Sequence, residues 1–357
     1  MSGPTRSTNV AVTIAAVIVI IYGMQAAKVL LVPFLLALFF ALITIRPMLW
    51  LQAKGVPSVL AAILVVFGLM LFLATVGSVV GSSIGEFTAA LPGYQAQLDS
   101  LLRGSLEFLQ RFVDDDVSIA SITEFIDLGR AMGMAGTLLN ALSGVLTNAF
   151  LILFTMVFIL LEVSSVPTKV MAAFGRSTES FEKAGQFLKN LGRYLGIKTI
   201  VSMVTGLVAG IMTWLIGLDF PLLWGMLAFL LNYIPTIGSI IAAVPAVLLA
   251  LIQLGPAEAA TTAMGFVGIN LVFGNIVEPR LMGFGVGISP LIIFVGLVFW
   301  GWVFGPVGML LSVPLTMTLK LALESKESTL WIAILLGSER DAEHALIAKQ
   351  QKDESAD

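Results

Sequence analysis

Apolar stretches recur along the chain at about 9–27, 29–45, 57–80, 138–161, 199–217, 220–252, 259–277 and 288–319, separated by short polar runs. A hydrocarbon core about 30 Å thick takes about 20 helical residues. Most of these stretches therefore predict one transmembrane helix each. The first has one basic residue ahead of it, a long apolar run and no small-residue cleavage site after it, so it reads as an anchor and not as a cleaved signal.

Two stretches are too long for one upright helix. Residues 220–252 contain Pro221, Pro235, Gly238 and Pro245, and residues 288–319 contain Pro290, Gly301, Gly305, Pro306, Gly308 and Pro314. Proline removes a backbone donor and clashes with the preceding turn. Freed backbone groups are tolerated at membrane depth only where protein or a water-filled cavity covers them. Both stretches are expected to be broken or re-entrant helices lining a path; the alternative is a long, tilted, kinked helix. The expected fold is an all-α polytopic membrane protein with six to eight transmembrane helices, two of the segments broken or re-entrant.

A different pattern covers residues 87–113. Leu91, Tyr94, Leu98, Leu101, Phe108 and Phe112 recur at three- and four-residue spacing, with Gln95, Asp99, Arg103, Glu107 and Arg111 on the other faces. This predicts an amphipathic helix that does not cross the membrane. The run Asp114-Asp115-Asp116 ends it, and Ser121 with Glu124 forms a capping box for a further helix. The expected organisation is residues 1–85 as N-terminal transmembrane helices, 86–137 as an extracytoplasmic amphipathic segment, 138–319 as a transmembrane transport core with a loop at 162–198, and 320–357 as a charged tail.

Composition sharpens this picture. The 357 residues are 58% hydrophobic and 11% charged, with no Cys and one His, and mean hydropathy is +1.01. Soluble domains carry about 25% charged residues. A soluble enzyme, a disordered chain and a nucleic-acid binder all fit poorly, and lipid is the expected solvent. The absence of Cys removes disulfides and thiolate metal sites. The sole His344 sits among tail charges, so a zinc site or a Ser–His pair lacks its parts. Residues 196–199 (Gly-Ile-Lys-Thr) lack the second glycine of a phosphate-binding loop. No cofactor is expected, and the chain reads as a non-enzyme.

Net charge is −3, but its distribution is more informative. Residues 1–85 hold four bases and no acid, 86–130 eight acids against three bases, and 162–198 six bases against three acids. Bases mark cytoplasmic loops. The loop with Arg46 and Lys54 and the loop 162–198 are therefore expected inside, the acidic segment outside, and both termini inside.

Polar residues inside the apolar stretches are costly, so each asks for a partner. Asn232 and Tyr233 precede Pro235 and Gly238, while Asn270, Asn275 and Glu278 lie along the seventh stretch. At helical spacing Asn275 and Glu278 share a face. Pro279 is expected to end that helix, leaving Glu278 at a C-terminus where the dipole opposes its charge. Arg280 is the expected partner of Glu278; a bound cation or a proton is the alternative. Small-residue spacing at Gly77/Gly81/Gly85, Gly206/Gly210 and Gly301/Gly305 predicts close helix packing.

Residues 275–283 (Asn-Ile-Val-Glu-Pro-Arg-Leu-Met-Gly) resemble the signature of the autoinducer-2 exporter family of bacterial membrane proteins. Three further blocks agree: 33–37 with Arg46-Pro47, 232–238 with 244–246, and 305–315. Their order covers about 10–320. The chain departs from the family pattern at Ile288-Ser289-Pro290, where many members carry a Leu-His-Pro. The resemblance implies a permease-like protein of the bacterial inner membrane, a homo-oligomer, and either export of autoinducer-2 or exchange of sodium or lithium for protons. The leading expectation is a secondary exporter of a small polar solute, with Asn232, Tyr233, Pro235, Gly238, Asn275, Glu278, Arg280, Gly305 and Gly308 lining the path. A sodium(lithium)/proton antiporter using Glu278 is second. A scaffold that binds a partner through 87–142 ranks lowest.

Overall fold

The computed structural model describes residues 6–110, 148–163, 179–282, 287–325 and 327–339, with isolated positions between 165 and 172 and between 342 and 347. The acid run 114–116, the Ser121/Glu124 pair, the glycines of 283–285 and His344 lie outside the described residues. Among the described residues there is no strand.

The helices are α1 (Arg6–Ala26), α2 (Lys28–Ala53), α3 (Ser58–Gln110), α4 (Ala149–Val163), α5 (Glu179–Ile216), α6 (Pro221–Leu231), α7 (Ile237–Gln253), α8 (Pro256–Ile269), α9 (Glu278–Met282), α10 (Pro290–Phe304), α11 (Pro306–Leu310), α12 (Ser312–Glu324) and α13 (Glu327–Leu336), with a π-helix at Asn270–Val277 between α8 and α9. Among the described residues four segments are long and apolar enough to cross a membrane: Lys28–Ala53, Ser58–Tyr94, Gly185–Ile216 and Pro256–Met282. The chain is an all-α polytopic membrane protein.

Three details depart from the sequence reading. A single residue, Ala27, separates α1 from α2, so the first two apolar stretches follow one another with no loop between them. The third stretch and the amphipathic segment form one helix, α3, because nothing between residues 80 and 87 interrupts the backbone ladder. Pro279 does not end its helix: the chain continues through it to Met282. The reason is the π-helix. Glu278 donates its backbone N–H to Phe273, five residues back, and Pro279 then stands in the first turn of α9, where a missing N–H costs nothing.

The chain forms two compact units. One comprises residues 1–66, 148–192 and 286–357; the other comprises 67–147 and 193–285. In the first unit α2 packs along α4, with Ala37, Ala41, Ile152, Met156 and Leu160 wholly buried. Trp300, Val303 and Phe304 of α10 form a core with Met24, Leu31 and Leu35 against it.

Both long stretches are broken, as the prolines and glycines predict, and each folds back on itself. In the first unit α10 and α12 run antiparallel about α11: Gly308 lies against the Trp300 carbonyl, Thr316 against Gly296 and Trp300, and Lys320 Nζ donates to the Gly287 carbonyl at 2.6 Å. The turn uses Gly305 at φ 71°, ψ −151°, a conformation open essentially to glycine alone.

In the second unit α6 and α7 make the equivalent hairpin. Its mouth is closed by Gln253, which accepts from the Asp219 backbone N–H (3.0 Å) and donates to the Gly217 carbonyl (3.3 Å). At its tip Gly238 packs on Leu231. Residues 217–219 and 253 thus stand together while 232–238 form the far end. α6 has 11 residues, about 16 Å at 1.5 Å per residue, roughly half the hydrocarbon thickness.

Glycines set how closely this hairpin approaches α5. A Cβ on Gly206 would meet the Gly225 carbonyl and Phe229 at 2.6 Å, and one on Gly225 would meet the Gly206 carbonyl at 2.8 Å. The Gly206/Gly210 spacing therefore serves backbone contact, as expected. Gly81 and Gly85 instead have nothing within 4 Å.

Candidate functional site

The site is built in the second unit from α5, the α6–α7 tip and the π-helix. α5 carries Tyr194, Lys198, Ser202 and Thr205 at four- and three-residue spacing, which puts them on one face of an otherwise apolar helix. Lys198 and Ser202 are buried, 5% and 0% exposed.

Glu278 finds its cation on this face. Lys198 Nζ donates to both carboxylate oxygens at 2.8 Å, with side-chain exposures of 7% and 15%. Proximity along the chain points instead to Arg280 for this role. The structure places Arg280 on an exposed position two residues past Glu278 and supplies Lys198 from another helix. The π-helix is the physical cause. Its wider turn changes the angle between successive side chains, so Glu278 faces α5 while Asn275 and Arg280 are exposed. For the same reason Asn275 and Glu278 do not share the face that α-helical spacing implied.

The hairpin tip meets the same face. Asn232 Nδ2 donates to Ser202 Oγ at 2.9 Å, and Tyr233 Oη donates to Thr199 Oγ1 at 2.8 Å. Tyr194 interacts electrostatically with both Glu278 and Tyr233. The break itself is a strained γ-turn. Thr236 sits at φ 62°, ψ −53°, and Ile237 N–H donates to the Pro235 carbonyl at 2.6 Å across it. Gly238 is obligatory, because a Cβ there would lie 1.8 Å from the Leu231 carbonyl.

Of the residues expected on a path, Asn232, Tyr233, Pro235, Gly238 and Glu278 come together here. Asn275, within the π-helix, and Arg280, beyond it, are on exposed positions. Gly305 and Gly308 belong to the other hairpin in the first unit, where Gly308 makes the same kind of contact: a Cβ would sit 1.9 Å from the Trp300 carbonyl. Sequence reading missed Lys198, Thr199, Ser202 and Thr205. The expected loop 162–198 is not a loop to its end: α5 begins at Glu179 and its Gly185–Ile216 part is long and apolar enough to cross a membrane, so Lys198, the last base of that run, lies within the helix. The signal that finds it is the polar stripe it shares with Tyr194, Ser202 and Thr205.

A buried ammonium paired bidentately with a carboxylate, flanked by hydroxyls and an amide, is a neutral but strongly dipolar surface. It can exchange one hydrogen-bonding partner for another without leaving a net charge in lipid.

Comparison with known proteins agrees with this architecture. The family model of AI-2E family transporters matches residues 14–328. The chain is 40% identical over 340 residues to the AI-2 transport protein TqsA of Escherichia coli K12, covering 94% of this chain and 98% of that protein. It is 39% identical over 334 residues to a putative transport protein of Haemophilus influenzae (92% and 96% covered) and 35% identical over 332 residues to the putative transport protein YhhT of Escherichia coli K12 (93% and 95%). Matched along nearly its whole length, the chain belongs to the AI-2E family and is a multi-pass membrane transporter.

Proposed function

We propose that this protein exports a small polar solute across the bacterial inner membrane, autoinducer-2 being the first solute to test, because the relative at 40% identity is named an AI-2 transport protein. The observation that carries the reading is the Lys198–Glu278 pair set against the tip of the α6–α7 hairpin. An ion pair in lipid is an expensive feature for a merely structural helix contact. Beside a broken helix it gives a solute rich in hydroxyls or carbonyls both donors and acceptors. Asn232, Tyr233 and Thr199 contribute further hydrogen bonds, and Pro235, Thr236 and Gly238 shape the tight turn that presents them.

In this reading both hairpins re-enter the membrane, and Gly305 and Gly308 shape the second tip. The basic segment ahead of the Gly185–Ile216 span is cytoplasmic, with both termini on the same side. A homo-oligomer fits the glycines left open along α3, Gly81 and Gly85. No catalytic step is assigned.

The sodium(lithium)/proton antiporter is the weaker reading, because it asks Glu278 to be a free exchanging carboxylate and Lys198 already occupies both its oxygens. Proteoliposomes test the two together. Wild-type protein is expected to move autoinducer-2 down its gradient, and Lys198→Met and Glu278→Gln are expected to abolish that flux. Wild-type flux in both variants removes these residues from the path. Sodium-dependent proton flux from the wild type, with no autoinducer-2 movement, replaces export with exchange.

A further inference from the structure

Next to the hairpin tip lies a small cavity lined by Thr205, Asn232, Ser239, Asn270 and Gly274, with Ala228, Ala242, Phe266 and Ile269 forming its apolar walls. Its volume, about 10 Å³, is at the threshold for one water, about 10–15 Å³. Thr205 is 6% exposed, and its hydroxyl is buried without a hydrogen-bond partner. This is unusual in the chain's own terms. Thr199, Thr213 and Thr262 all return their hydroxyl proton to the carbonyl four residues back, at 2.7–3.0 Å. Thr205 stands on the same helix as two of them and does not.

The polar groups around the cavity are unbalanced. Ser239 spends its proton on the Thr236 carbonyl, so it presents lone pairs. Asn232 turns its amide nitrogen to Ser202, which leaves its oxygen on the other side of the amide. Asn270 Oδ1 rests against Gly274 at the start of the π-helix. Thr205 brings a proton with no acceptor; the others bring acceptors. A guest that accepts one hydrogen bond and donates two fits this inventory.

We propose that this cavity holds a single buried water, which accepts from Thr205 and donates to the amide and hydroxyl oxygens of Asn232, Asn270 or Ser239. Such a water joins α5, the hairpin tip and the first turn of the π-helix through one set of hydrogen bonds. A cation is the competing guest for an oxygen-lined space, and the lining opposes it: no charged group is among the residues around the cavity, so an ion would be desolvated without compensation. The inference concerns the site's own hydrogen-bond balance and does not depend on which solute the protein carries.

Thermal unfolding of the full-length protein in detergent gives a test whose sign decides. If water satisfies Thr205, Thr205→Val strands the remaining acceptors, and Tm falls by about 2–4 °C; Thr205→Ser keeps the hydroxyl and keeps the wild-type Tm. A rise in Tm for Thr205→Val means that the hydroxyl was bare and overturns the proposal. Replacing choline by sodium at equal ionic strength is expected to leave the wild-type Tm unchanged. A sodium-specific rise that Thr205→Val abolishes makes the guest an ion and overturns it equally. A density map of the wild type fine enough to resolve waters reads the same point without a variant: a peak in the cavity is expected, and an empty cavity refutes the water.

Discussion

Lys198 and Glu278, 80 residues apart in sequence, meet with both carboxylate oxygens 2.8 Å from one ammonium. Removing either partner leaves the other charge buried. Lys198→Met and Glu278→Gln are each expected to cost about 3 kcal/mol, the low end for a buried pair because Glu278 keeps some exposure. The double variant K198M/E278Q should recover most of that loss. A double-mutant cycle on detergent unfolding checks the stability, and vesicle transport checks whether recovery of stability leaves flux absent, as a path residue requires.

The two hairpins should fail in the same way when their closest glycines gain a methyl. Gly238→Ala and Gly308→Ala place a Cβ at 1.8 and 1.9 Å from backbone carbonyls that cannot yield, so each should lose about 3 kcal/mol or fail to assemble. Gly81→Ala and Gly85→Ala, with nothing within 4 Å, should gain about 0.5–1 kcal/mol from helix propensity in the isolated protomer. Unfolding midpoints of the four variants side by side provide the check.

Thr236 holds a positive φ that glycine adopts without penalty. Thr236→Gly should raise stability by about 1 kcal/mol, the lower part of the range for such strain. If strain keeps the tip poised for movement, the same variant transports more slowly. Paired unfolding and flux measurements would show the two quantities moving in opposite directions.

Gln253 closes the mouth of the α6–α7 hairpin with two hydrogen bonds. Gln253→Ala should cost about 1 kcal/mol. Hydrogen exchange should rise at the amide of Asp219, which loses its acceptor, before it rises at the tip. Uniform exchange along the hairpin would mean that Gln253 does not close it.

The apolar stretches, the breaks at Pro235/Gly238 and Gly305/Gly308, and the packing use of Gly206 and Gly210 were all legible along the chain. Each rests on a local rule: hydrocarbon thickness sets helix length, proline and glycine interrupt the ladder, and small side chains admit a neighbouring backbone. What those rules could not reach was the register beyond each break. Asn275 and Glu278 look like neighbours at 3.6 residues per turn, and only the π-helix turns Glu278 toward Lys198 while leaving Arg280 exposed.

By itself the sequence determined that this chain lives in lipid, where it must interrupt its helices, and that a few polar residues would gather near those interruptions. Tertiary structure decided which of them meet. Long-range pairs such as Lys198–Glu278, Asn232–Ser202 and Gln253–Asp219 depend on helix rotation and on backbone approach at glycine. These are properties of two packed segments together, and neither segment carries them in its own residues.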